Sequence, residues 1–110
     1  MAWLLREGEV LAGLEIADGL LARTKGLLGR DSIDGAMLLK ARSVHTFGMR
    51  FPIDVAICDK ELVVVATRTL VPYRIALPRW KGVQVLEARA GAFETWRLRA
   101  GDRLEIKGGP

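Results

Sequence analysis

The residues best suited to chemistry crowd into one short run. Ser43-Val44-His45-Thr46-Phe47-Gly48-Met49-Arg50-Phe51-Pro52-Ile53-Asp54 holds the only histidine of the chain, a hydroxyl, a guanidinium and a carboxylate. An imidazole titrates near neutrality, so His45 can act as a general base, a metal ligand or an anion contact. Thr46 and Arg50 add hydrogen-bond donors that suit an anion. Asp54 and the more distant Glu87 sit inside apolar runs, which carboxylates usually avoid. Two such groups can work as an acid/base pair. Alternatively, each caps a loop or pairs with an arginine such as Arg30 or Arg50 and fixes geometry. Phe51-Pro52 is expected to be extended, because the residue before proline avoids the α region. That would deliver the loop onto the strand bearing Asp54. The expected site is one depression lined by His45, Thr46, Arg50 and Asp54, with Glu87 on a nearby strand and Arg30 at the rim.

Other chemistries find less to work with. One histidine and one cysteine cannot supply the usual tetrahedral His/Cys sets, so no metal and no cofactor are expected. Cys58 falls in an apolar strand and reads as a small buried hydrophobe. A Cys58–His45 nucleophile pair would require the fold to bring them together. The segment from Tyr73 to Lys81 mixes aromatic with basic side chains, as single-strand nucleic-acid platforms do. No nucleic-acid-binding signature accompanies it. Trp80 is expected to cover one end of the fold, and Phe47, Met49 and Phe51 to pack in the core. Nucleic acid is therefore not an expected partner.

The elements that must position these residues are short. Glu9–Ile16 alternates, with Val10, Ala12, Leu14 and Ile16 on one side, as in a half-buried strand. Ala17, Leu20, Leu21, Thr24, Leu27 and Leu28 then fall at helical spacing, which predicts a helix near Asp18–Leu28 with Asp18 as N-cap and Gly29 past its end. Asp34-Gly35 signals a turn into a strand at Ala36–Ala41. Ile53–Cys58 reads as a strand, linked by a tight hairpin at Asp59-Lys60 to another over Leu62–Leu70. Pro72 and Pro78 break the pattern. Val83–Arg89 forms a further strand, Phe93 and Trp96 are spaced for one helical turn, and Arg103–Lys107 ends the series. Short strands with frequent turns predict a mainly β fold, a β-sandwich or closed barrel with one short helix packed on it.

Composition agrees with one domain over residues 1–110. Half of the residues are hydrophobic and 27% are charged, enough apolar surface for one core and too much for a disordered chain. No run approaches the roughly 20 apolar residues that span a bilayer. The start, Met1-Ala2-Trp3-Leu4-Leu5-Arg6, becomes charged too soon for a secretory signal, and a lone cysteine needs no oxidising compartment. A cytoplasmic location is expected. The net charge of +4 is unevenly placed. Gly35–Ile53 carries Lys40, Arg42 and Arg50 and no acid; Leu62–Leu86 carries Arg68, Arg74, Arg79 and Lys81 and no acid. If the two stretches converge in space, they make a surface that favours anions.

Several runs together resemble a known family. Thr24-Lys25-Gly26-Leu27-Leu28-Gly29-Arg30, Gly35-Ala36-Met37-Leu38, Phe51-Pro52-Ile53-Asp54-Val55-Ala56, Val85-Leu86-Glu87-Ala88-Arg89-Ala90-Gly91 and Ala100-Gly101-Asp102 are similar, in that order, to motifs of the domain of unknown function 192 family. The resemblance runs from about Glu9 to Ile106. It implies a jelly-roll-type β-sandwich with a short helix and implies no established reaction. Many members of that family carry a Trp-Met pair near the positions of His45-Thr46, so histidine chemistry does not follow from it.

Two functions stay open on the sequence. The first, preferred, is a binding module whose polar site of His45, Thr46, Arg50, Asp54, Glu87 and Arg30 takes a small anionic ligand or a protein segment. The second is a small hydrolase-like or metal-dependent enzyme using His45 with Asp54 and Glu87.

Overall fold

All six residues of Ile53-Asp54-Val55-Ala56-Ile57-Cys58 are buried, which marks a strand covered on both faces. The fold around it is seen in a computed structural model that describes residues 2–17 and 32–108. In chain order the elements are β1 (Ala2–Arg6), β2 (Glu9–Ala17), β3 (Ala36–Leu39), β4 (Val44–His45), β5 (Ile53–Cys58), β6 (Val64–Leu70), β7 (Ile75–Ala76), β8 (Gln84–Arg89), the short helix α1 (Ala92–Trp96) and β9 (Glu105–Gly108). One seven-stranded sheet has the order β6-β5-β8-β3-β2-β1-β9, and β4 pairs with β7 in a separate two-stranded ribbon.

Alternation along the central strands divides the interior in two. Ala36 and Leu38 of β3, Ala56 and Cys58 of β5, and Leu86 and Ala88 of β8 share a first core with Leu4, Leu14, Phe93 and Leu104. Met37 and Leu39, Ile53, Val55 and Ile57, and Val85 point the other way, into a second core with Met49, Leu70 and Ala76. Each fully buried aliphatic chain contributes roughly 1.5–3 kcal/mol, so two cores of this kind hold the sheet from both sides. Helix α1 sends Ala92 and Phe93 into the first core. The β4–β7 ribbon packs on the second, through Ala76 and Val44.

Local chemistry sets the connections. Glu7 (φ 50°) and Gly8 (φ 79°) form the two-residue turn from β1 to β2, both left-handed as a twisted hairpin requires. Gly35 (φ +78°) lies so close to β2 that an added Cβ would stand 2.5 Å from the Gly13 carbonyl oxygen. Only glycine fits there. Arg6 joins β1 to the end of α1, donating to the Trp96 carbonyl at 2.6 Å and pairing with Asp102 at 3.0 Å.

The mainly β architecture is as the sequence predicts, and the turn of helix at Phe93–Trp96 forms. The closed barrel does not. The sheet curls until residues 62–64 meet residues 101–104 through the Val63–Arg103 bridge and neighbouring backbone hydrogen bonds, but the ladder stops there. Strand β9 then runs along β1 and leaves β6 as an open edge. At that edge, β6 is only partly covered. In β2, Leu14 is buried as expected, but Val10 and Ile16 are exposed. Strands β2 and β3 run parallel, a pairing that no tight hairpin makes. The helix predicted at Asp18–Leu28, with Leu20, Leu21, Leu27 and Leu28 on its apolar side, lies outside the described residues. Among the described residues, no helix is long and apolar enough to cross a membrane.

Candidate functional site

Asp54 is occupied by the backbone. Its Oδ2 accepts the Gly91 N–H at 3.0 Å and the Phe93 N–H at 3.1 Å, while its Oδ1 accepts the Thr69 hydroxyl at 2.6 Å. Gly91 opens α1 with φ 94° and has no side chain to cap it. Asp54 therefore supplies the missing acceptor from a neighbouring strand. It lies at the floor of a surface cavity of about 400 Å³, beside Thr67, Thr69 and Phe93.

Glu87 faces the other way. The register pairs Asp54 with Ala88 and Val55 with Glu87, so Glu87 projects with Val55 and Val85 toward the second core. Asp54 projects with Ala56 and Ala88 toward the first. Across the other edge of β8, Glu87 stands opposite Met37. The residue is only 3% exposed, and its Oε1 has no hydrogen-bond partner. Burial raises its carboxyl from 4.5 to about 7. The acid/base pair open to Asp54 and Glu87 does not form, because the sheet stands between them; the alternative reading, that the carboxylate caps a loop, holds for Asp54.

The remaining candidates separate as well. Thr46 is fully buried and pins the ribbon. Its hydroxyl donates to the Val71 carbonyl at 2.7 Å and accepts the Arg74 N–H at 2.8 Å. Its backbone N–H reaches the Arg74 carbonyl at 2.8 Å, and its carbonyl accepts from Met49 and Tyr73. His45 sits opposite Ile75 on the outer side of the ribbon, exposed, with its Nδ1 accepting the Phe47 N–H at 3.2 Å. Arg50 is exposed in the loop before β5. Arg30 lies outside the described residues. The single depression expected to gather His45, Thr46, Arg50, Asp54 and Glu87 is absent, since the ribbon and Asp54 belong to opposite sides of the sheet. Cys58 is buried in the first core, and burial, with the adjacent Asp59 carboxylate, pushes its thiol up to about 12. It is far from nucleophilic and faces away from the ribbon that carries His45. Among the described residues, no three His, Cys, Asp or Glu side chains gather as a metal site would need.

The structure instead joins the two acid-free stretches through the ribbon. Strand β4 comes from the first acid-free stretch and β7 from the second, and the two pair antiparallel, Val44 with Ala76 and His45 with Ile75. On the outer side, the rings of His45 and Phe47 stack at 5.2 Å, and Phe47 and Tyr73 follow at 6.4 Å. Phe47 is 46% exposed, Tyr73 63% and Trp80 85%, against the expectation that Phe47 packs inside and Trp80 covers an end of the fold. Ile75, paired with His45, is exposed as well, and so are Val71 and Leu77 of the same segment. Arg74 and Arg79 flank the rings in sequence and are exposed too.

The model of the DUF192 family, described as an uncharacterised ACR (COG1430), matches residues 3–106. The chain belongs to the DUF192 family. A UPF0127 protein of Pyrococcus abyssi is 30% identical over 105 residues, covering 90% of this chain and 86% of its own. Two solved structures share the fold. One is a protein of unknown function from Novosphingobium aromaticivorans, with TM-score 0.80 and 17% identity over 94% of this chain and 82% of the other. The second, from Sinorhizobium meliloti, has TM-score 0.80 and 24% identity over 96% and 91%. These likenesses establish the DUF192 fold and assign no activity to it.

Proposed function

We propose that this DUF192 protein is a binding module that takes anionic partners on the outer face of the β4–β7 ribbon. The pairing of β4 with β7 carries the reading, because it joins the two stretches of sequence that hold cations and no acids. A cluster of like charges without compensating acids raises the local concentration of anions. A contiguous exposed apolar patch rimmed by polar groups is in turn a common mark of an interaction surface. His45 belongs to this face, Thr46 holds it in shape, and Arg50 sits on the loop that leaves it. The enzyme reading finds no support in the geometry: Asp54 is bound to backbone, Glu87 is on the far side of the sheet from it, and His45 reaches neither.

Differential scanning fluorimetry against inorganic polyphosphate, nucleotides and phosphorylated metabolites tests the proposal. A ligand at a hundredfold excess over its Kd adds about 2.7 kcal/mol of stability. For a chain of this size that is a Tm rise on the order of 10 °C. The Arg74→Glu/Arg79→Glu double variant should lose the rise while keeping the unliganded Tm within a few degrees. An undiminished rise in the double variant would place the anion elsewhere.

A further inference from the structure

Resting on the reading of the ribbon as an anion-binding face, we infer that its partner is single-stranded nucleic acid. Cations alone would serve any anion, whereas the rings narrow the choice. His45, Phe47 and Tyr73 form a row with centroid spacings of 5.2 and 6.4 Å and interplanar angles of 27° and 36°. Trp80, 85% exposed, lies further along the same acid-free stretch as Tyr73. Aromatic side chains carry large apolar areas, so leaving Phe47 and Tyr73 exposed in one row with His45 is costly unless something planar covers them. An unpaired base has that shape, and stacking on a ring accepts any base.

One cation, Arg74, is held beside those rings, where a backbone running past them would meet it. Arg74 lies between Tyr73 and Ile75, and its guanidinium is held by the Tyr73 carbonyl at 3.2 Å. Arg79 precedes Trp80. Lys81 is a poorer candidate, because it lies with Asp59 and Glu61 in a different depression. Duplex recognition fits less well: its base faces are hidden in the stack, and its major groove is read by a helix or a longer ribbon. Here β4 and β7 are two residues each, and α1 packs against the opposite core. An acidic peptide would use Arg74 and Arg79 and leave the ring faces without a matching group.

Fluorescence anisotropy on the full chain with a labelled mixed-sequence oligonucleotide of about 12 residues, within the range one small binding fold covers, tests the inference. The competitors are inorganic polyphosphate of equal charge, the same sequence as duplex, and polyglutamate. The single strand should bind at least about tenfold tighter than each competitor, with RNA and DNA run in parallel. Tyr73→Ala and Trp80→Ala should each weaken the oligonucleotide by about 5- to 100-fold, the range of one lost base stack, and leave polyphosphate binding unchanged. Arg74→Glu should weaken both. All three positions are exposed, so unchanged circular dichroism melts will certify folding. Equal affinity for oligonucleotide and polyphosphate, with inert ring variants, would overturn the nucleic-acid inference and leave the anion reading standing. Tighter binding of duplex or polyglutamate would overturn it in favour of those partners. Failure of every polyanion to bind would overturn both readings.

Discussion

Glu87 should make the stability of this protein fall with rising pH across a window where most carboxylates have finished titrating. Its carboxyl is buried between Met37 and Val55, and one oxygen lacks a partner. Burial raises it from 4.5 to about 7. The folded chain therefore holds a proton that the unfolded chain has released between those two values. Below about pH 4.5 both states carry it and the group costs nothing. From there to about pH 7 the cost of keeping the group inside grows, and above that it is constant. A difference of about 2.5 pK units corresponds to about 3 kcal/mol. In Glu87→Gln that dependence disappears. The amide introduces donors of its own, but their cost is the same at every pH and cancels when two pH values are compared. Urea titrations of both proteins at about pH 4.5 and about pH 8 should thus show Glu87→Gln gaining about 3 kcal/mol on the parent between the two, with unchanged m values. Glu87→Met, which puts an apolar chain of similar length in the same place, should show the same gain. Stability differences that stay parallel within about 0.5 kcal/mol across the window would show that the carboxylate has a partner in solution and that its burial is not the governing effect.

Other substitutions separate structural from surface roles. Asp54→Asn should destabilise by about 2–3 kcal/mol in a urea titration, because the carboxylate serves two backbone N–H groups and the Thr69 hydroxyl; His45→Ala, on the exposed side of the ribbon, should change stability by less than about 0.5 kcal/mol. Thr46→Val should cost about 1–3 kcal/mol by stranding the buried Val71 carbonyl and Arg74 N–H. Cys58, with its thiol raised to about 12, should resist iodoacetamide at about pH 8 in the native protein and react promptly in urea.

The fold was legible where burial leaves a long trace in the sequence. Ile53–Cys58 and Val83–Arg89 read as strands because runs this apolar survive only between two covered faces. Strand β1 was not read. It is five residues long, and its unbroken apolar run Ala2-Trp3-Leu4-Leu5 shows no alternation, although Trp3 is exposed. Strands β4 and β7 have two residues each, too few to show any period. The barrel was a reasonable inference from strand spacing, but closure depends on whether the last strand turns toward β6 or follows β1. That choice is made by contacts such as Arg6 with Asp102, between residues at opposite ends of the chain.

The site was less legible for a reason that parity makes clear. Residue types identified Asp54 and Glu87 as unusual carboxylates, and both are buried in adjacent strands. Whether they meet depends on register alone. With Asp54 opposite Ala88 they face opposite cores; a slip of one residue would set Asp54 opposite Glu87 and put both on one face. Nothing within either strand carries that information, because it arises from the pairing. The same holds for the ribbon. The two acid-free stretches are visible in the composition, but their convergence rests on Thr46, whose hydroxyl and backbone tie residues 71–74 to β4. A threonine in a loop ordinarily signals little. Here it folds two basic segments against each other and leaves Phe47 and Tyr73 on the outer side, so a residue expected to line a polar pocket instead builds the surface on which binding is proposed.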